Sequence, residues 1–99
     1  MLKIKELLSD PSSWTQHVIA RDCKRERVAV NDSSATCFCL YGALRRCYGS
    51  TINPLSNKEE YDIWNRLQQM VPDRDPIGWN DAPERTHAEV LELVTRLDI

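Results

Sequence analysis

The chain has only three glycines, Gly42, Gly49 and Gly78, spread too widely to build a loop that cradles phosphate. It has no run of about 18 apolar residues, so no segment is expected to span a membrane. Its opening residues, MLKIKELLSD, are too short and too charged for a secretory signal, which predicts a cytoplasmic protein with reduced cysteines. Only two histidines occur, His17 and His87. Together with Cys23 and Cys47 they match no zinc spacing. Cys37 and Cys39, read as helical, point about 200° apart and cannot share an ion. No two carboxylates are placed for acid–base work, and neither an internal repeat nor a low-complexity segment is present. These absences argue against an enzyme, a metal site and a bound cofactor. Cys23 lies on a charged stretch near His17, yet a nucleophilic thiol also needs an oriented third group, and none suggests itself.

What is present is an ordinary globular composition, 41% hydrophobic and 28% charged over 99 residues, expected to form one domain spanning residues 1–99. The most continuous apolar stretch is ATCFCLYGALRRCY, residues 35–48. Projected as a helix it gathers Cys37, Leu40, Tyr41, Leu44, Cys47 and Tyr48 on one side and small residues on the other. A helix apolar on nearly every face belongs in the middle of a domain. Asp32, Ser33 or Ser34 would cap it, and Gly49 would end it.

Around this centre the spacing predicts a short helix over residues 2–9, closed by Asp10-Pro11. Residues 17–20 and 27–30 are β-prone runs flanking a charged stretch, a pattern that reads as a hairpin over about 17–30. Thr51-Ile52-Asn53-Pro54 reads as a connector. Ser56-Asn57-Lys58-Glu59 reads as a capping box, opening a helix over 56–71 whose face is Tyr61, Trp64, Leu67 and Val71, flanked by Ile63 and Met70. Residues 77–83 read as a compact turn docking Trp79. A second capping box, Thr86 to Glu89, opens a last helix over 86–98 with a stripe of Val90, Leu91, Val94 and Leu97. The expected class is therefore α+β, mostly helical, with about four helices around a buried central helix and one small β-hairpin.

Charge is divided along the chain. Residues 1–50 hold eight Lys/Arg against five Asp/Glu, and residues 51–99 hold five against ten. This division suits contact with a protein partner, through Arg21, Lys24, Arg25 and Arg27 on one side or Glu59, Glu60, Asp62, Asp73 and Asp75 on the other. The competing explanation is that these are merely solvated faces. The basic tip could also meet phosphates, but no aromatics interleave with it, so nucleic acid is the disfavoured partner. Trp79, Asn80, Asp81 and Arg85, with Trp14 nearby, form a possible ledge for a small molecule or nucleotide, set against the plainer reading of an ordered structural turn in which Arg85 pairs with Asp81 or Asp22.

The pieces W-T-Q at residues 14–16, A-R-D at 20–22, C-x-x-G-A-L at 39–44, W-N-D at 79–81 and R-T-x-x-E-V at 85–90 occur in this order. As a set they resemble a family of small uncharacterised bacterial and phage proteins, over about residues 14–97. The chain departs from that pattern at His17-Val18, where glycine and small residues are expected. The resemblance implies no catalytic residue. It does imply a setting, in which small proteins of phages and mobile elements bind a host machine and block it. Anti-CRISPR proteins are the best-known class of this size and composition; the length, the expected cytosolic chemistry and the lack of a catalytic constellation place the chain with them as an expectation, with a host CRISPR effector complex as the expected partner.

Overall fold

The structure, a computed structural model, describes residues 3–49 and 58–99. The connector at residues 51–54 and the Ser56-Asn57 half of the first capping box lie outside the described residues.

The chain begins with helix α1, Ile4–Leu7, whose inner face buries Ile4 beside the equally buried Leu8. Asp10 and Pro11 then start a 3-10 turn over Pro11–Ser13, with the Asp10 carboxylate accepting from the Ser12 N–H. Two short strands follow, β1 at Ala20–Arg21 and β2 at Cys37–Phe38. They pair antiparallel, Ala20 opposite Phe38 and Arg21 opposite Cys37. The charged tip does form. Asp22 N–H donates to Glu26 O, and the Asp22 carboxylate accepts from the N–H groups of Lys24 and Glu26. The two arms of the expected hairpin meet only at an Arg21–Arg27 bridge and at Val28 N–H on Ala20 O. The ladder partner of β1 is β2, not the nearer arm, because pairing with β2 buries both Cys37 and Phe38.

That pairing also shortens the central helix. Residues 35–39 lead into and form β2, and α2 spans Leu40–Tyr48. Its cap is Cys39, whose Sγ accepts from the Gly42 N–H, while the Asp32 carboxylate closes its own turn on Ser34. The central position is as expected: Leu40, Gly42, Ala43, Leu44 and Cys47 are all buried. Since Cys37 is on a strand, the helical argument for separating it from Cys39 does not apply. The two thiols are instead occupied separately, Cys37 against Arg21 O and Cys39 at the head of α2.

Helix α3, Lys58–Met70, packs on α2 through Ile63 and Leu67. Trp64 meets the Tyr41 ring edge-on at 5.3 Å. Its buried face is rotated from the expected one, leaving Tyr61 66% and Met70 43% exposed. The reason is Glu60, whose carboxylate is drawn to the inner edge by Arg45 at 2.7 Å. Pro72 begins a 3-10 turn, and Asp73 and Arg74 both take left-handed backbone. Residues 77–83, expected as a turn, belong largely to a helix, α4, at Pro76–Asp81. Its start is Asp75-Pro76, with the Asp75 carboxylate accepting from the Gly78 N–H at 3.0 Å. Helix α5, His87–Leu97, opens on the expected Thr86–Glu89 capping box and buries Val90, Leu93 and Val94. The fold is thus a mostly helical α+β domain with α2 at its centre. Among the described residues no helix is long and apolar enough to cross a membrane.

Candidate functional site

Among the described residues Asn80 is the one strongly polar side chain in the core, 1% exposed near the end of α4. Its Oδ1 accepts from Trp14 Nε1 at 2.8 Å and from the Leu40 N–H, at the start of α2, at 3.1 Å. Its Nδ2 donates to Thr15 O at 3.2 Å and to Asp81 Oδ1 at 2.9 Å. A buried amide has two donors and two acceptor lone pairs, so all four are used. Gln16 reinforces the joint, its Nε2 donating to the carbonyls of Asn80 and Ala82, each at 2.9 Å. Arg85 closes it from the far side. Its Nε donates to Trp79 O at 2.8 Å, its guanidinium lies 4.2 Å from the Trp79 ring centre, and it pairs with Glu89 at 2.9 Å. Neither Asp81 nor Asp22 pairs with Arg85.

The ledge residues therefore do not converge on one pocket. Asn80 is buried. Trp79 and Arg85 line a shallow cleft of about 410 Å³ beside the acidic side chains of Asp73, Asp75 and Glu84. Asp81 lines a different cleft, about 200 Å³ in volume, with Cys39, Tyr41 and Ile77. The Trp79 ring is already stacked by Arg85. Sequence reasoning missed Asn80 as a hub. The available signal was that W-T-Q and W-N-D occur together in one chain, and the structure shows these two triplets bonded to each other.

The work of this joint is to present residues 17–19. The remaining contact of Asp81 Oδ1 is the His17 N–H at 2.9 Å, which fixes His17 at φ 72°. Left-handed backbone favours glycine, and any other residue is held there at a cost of about 1–2 kcal/mol. The unexpected histidine thus sits at a position whose geometry suits a glycine. Two residues on, Ile19 O accepts from the Cys39 N–H and lies against α2. A Cβ at Gly42 would stand 2.0 Å from that oxygen, so only glycine allows this approach. Residues 17–19 form a ridge with a cleft on each side. One is the 200 Å³ cleft toward Ile77; the other is a groove of about 510 Å³ between residues 17–19 and 27–30. Ile19 and Ile77, both 44% exposed, stand at the rim of the smaller cleft.

The charged candidates divide by their engagements. Arg21 is half-buried, donating from Nε to Thr15 Oγ1 and from Nη1 to Arg25 O. Lys24, Arg25 and Arg27 are exposed and make no ion pair among the described residues. On the acidic side, Glu60 is held by Arg45, Asp62 pairs with Lys58 at 3.4 Å, and Asp75 caps α4. Glu59 and Asp73 are exposed.

The cleft chemistry is not that of an activated thiol. Burial raises the Cys39 pKa, the Gly42 N–H pulls it back in part, and the charge of Asp81 raises it further, so the thiol stays protonated near neutral pH. Cys47 is pushed up to about 11, chiefly by burial. Among the described residues no group of three His, Cys, Asp or Glu could hold a metal ion.

The chain belongs to a family described as a family of unknown function (DUF6197), whose pattern matches residues 2–97. No curated protein and no solved structure matches it.

Proposed function

We propose that the protein is a non-catalytic binding module that engages a partner protein through the ridge at residues 17–19 and the neighbouring Ile77. The observation that carries this reading is the pair Ile19 and Ile77, two large aliphatic side chains 44% exposed on one rim. Single exposed apolar residues are ordinary on a protein surface, but neighbours beside a concave cleft are a feature of interaction sites. The hydrogen-bonded joint beneath them supports the same reading, because it fixes the ridge in advance of any partner. The free cations of the nearby tip would add encounter rate and selectivity more than affinity.

The narrower form of the proposal is an inhibitor, encoded by a phage or mobile element, that covers the working surface of a host defence complex in the anti-CRISPR manner. It is supported by the motif resemblance and by the size of the chain. The small-molecule reading is less favoured, since Arg85 already occupies a face of the Trp79 ring.

The test is a comparison of co-purification from host lysate by the native chain and by an Ile19→Asp/Ile77→Asp variant. The native chain is expected to retain a protein at stoichiometric level, and the variant to lose it while keeping its unfolding temperature. A variant that keeps the same partner at the same affinity would refute the assignment of the face.

A further inference from the structure

The clefts on either side of the ridge belong to one face. The groove of about 510 Å³ separates residues 17–19 from the arm 27–30, which continues the basic tip. The cleft of about 200 Å³ separates residues 17–19 from Ile77 on α4. The cleft of about 410 Å³ is lined by Gly78 and Trp79, the next residues of the same helix. The face therefore runs from the tip, across the ridge, to α4 and the acidic cleft beyond it. Charge changes sign along the way. At the tip Lys24, Arg25 and Arg27 outnumber Glu26. At the other end Asp73, Asp75 and Glu84 outnumber Arg74, while Arg85 is already paired with Glu89. Apart from Arg85, all of these side chains are exposed, and none makes an ion pair among the described residues. Between the two ends stand Ile19 and Ile77, each 44% exposed.

From this order of basic, aliphatic and acidic surface we infer that the ridge receives a second copy of this chain, related to the first by a two-fold axis through residues 17–19 and Ile77. A two-fold interface uses the same patch on both subunits, so the patch must be complementary to itself. This one is. Half a turn about its aliphatic middle lays the basic tip of each copy on the acidic end of the other and brings Ile19 and Ile77 of both copies together. The cleft of about 200 Å³ between them is smaller than the roughly 300–1,000 Å³ of small-molecule sites, a size that suits an aliphatic side chain of the other copy. A nucleic acid would be attracted at the tip and repelled at Asp73, Asp75 and Glu84. A protein of one sign of charge would meet the same conflict. This inference rests on the binding-module reading and names the first partner of the ridge, with which any other protein must compete.

The test is sedimentation equilibrium of the purified full chain, up to a concentration on the order of 100 μM, where any dimer with a micromolar Kd is formed. A species of twice the 11.5 kDa of one chain is expected, weakening as salt is added. Lys24→Glu/Arg27→Glu reverses the tip, and Asp73→Asn/Glu84→Lys reverses the acidic end. Each variant alone should dimerise at least about tenfold more weakly, since like charges then face each other at both contacts. An equimolar mixture of the two should regain the native affinity, because each reversed end meets its reversed counterpart. The substituted side chains are exposed and unpaired, so the unfolding temperature of each variant should stay near that of the native chain. A chain that remains monomeric, a dimer indifferent to both variants, or a mixture that recovers nothing would overturn the inference. If the chain is monomeric while the Ile19/Ile77 variant still loses a co-purified partner, self-association falls and the wider binding reading stands. A dimer that survives Ile19→Asp/Ile77→Asp would overturn this face as its interface.

Discussion

Replacing Asn80 by alanine should remove about 3 kcal/mol of stability. Four hydrogen bonds are lost at a side chain that is 1% exposed. Two of the abandoned partners, the Leu40 N–H and the Thr15 carbonyl, belong to buried residues. Each such orphan costs about 1–3 kcal/mol. The half-buried Trp14 can turn its N–H toward water at a smaller cost. Taking the lower values for the two buried groups, and adding the indole and the lost packing, gives about 3 kcal/mol. That is a large part of the roughly 5–15 kcal/mol that holds a domain folded. For a domain of this size it lowers the unfolding temperature by about 12–24 °C. Urea unfolding followed by the fluorescence of Trp14, Trp64 and Trp79 measures the loss as a lower midpoint at unchanged slope. Asn80→Leu separates the two origins of the effect. It refills the space but leaves the same groups unpaired, so it should be about as unstable as the alanine variant. Native stability in Asn80→Leu would refute the account of Asn80 as a hydrogen-bond hub.

Four further outcomes follow from the same geometry. His17→Gly should gain up to about 1 kcal/mol, since relief of left-handed strain exceeds the added chain freedom of glycine; His17→Val, β-branched at φ 72°, should lose stability in the same urea assay. Gly42→Ala should cost about 2 kcal/mol or more, because its Cβ would meet Ile19 O at 2.0 Å, and under the binding proposal it should also weaken partner capture as the ridge is pushed away. Among the four thiols, only exposed Cys23 should react promptly with a maleimide in the folded state, with Cys37, Cys39 and Cys47 following on unfolding; mass spectrometry of labelled peptides would show a fault in the core if Cys37 or Cys47 reacted first. Asp98, bonded to Lys5 and Lys3, has its pKa lowered to about 2. Its contribution is therefore present above its unfolded pKa of about 3.9 and is lost as pH falls toward 2, so Asp98→Asn should flatten the acid limb of the stability profile.

The elements legible in the sequence were those specified by nearby residues. Helix α5 follows from the Thr86–Glu89 box and a regular apolar stripe, and both are where they were expected. The end of α3 follows from Pro72. What escaped was set by residues far apart in the chain. Residues 35–39 carry a helical pattern, yet β1 recruits Cys37 and Phe38, and the helix starts only at Leu40. The inner face of α3 turns toward Glu60 because Arg45 on α2 neutralises it, which no window of α3 alone contains. The site shows the same division. W-T-Q and W-N-D stood out as motifs, but their meaning lay in bonds from Trp14, Thr15 and Gln16 to Asn80 and its neighbours. The residues that looked like a ledge for ligands hold the scaffold together, and the plainer run His17-Val18-Ile19 is the part left facing outward. The Asp75-Pro76 start of α4 was readable in principle, since Asp10-Pro11 carries the same local signal.

The closeness of Ile19 O to Gly42 has a thermodynamic implication. With no side chain between the Ile19 carbonyl and α2, the ridge rests directly on the buried central helix and has nowhere to settle. On the binding proposal, a partner landing there would meet the shape it will leave, and little conformational entropy would be forfeited on association. Under that proposal a modest contact area would sustain long residence, and differences in affinity among variants of the partner would reside in their departure rates.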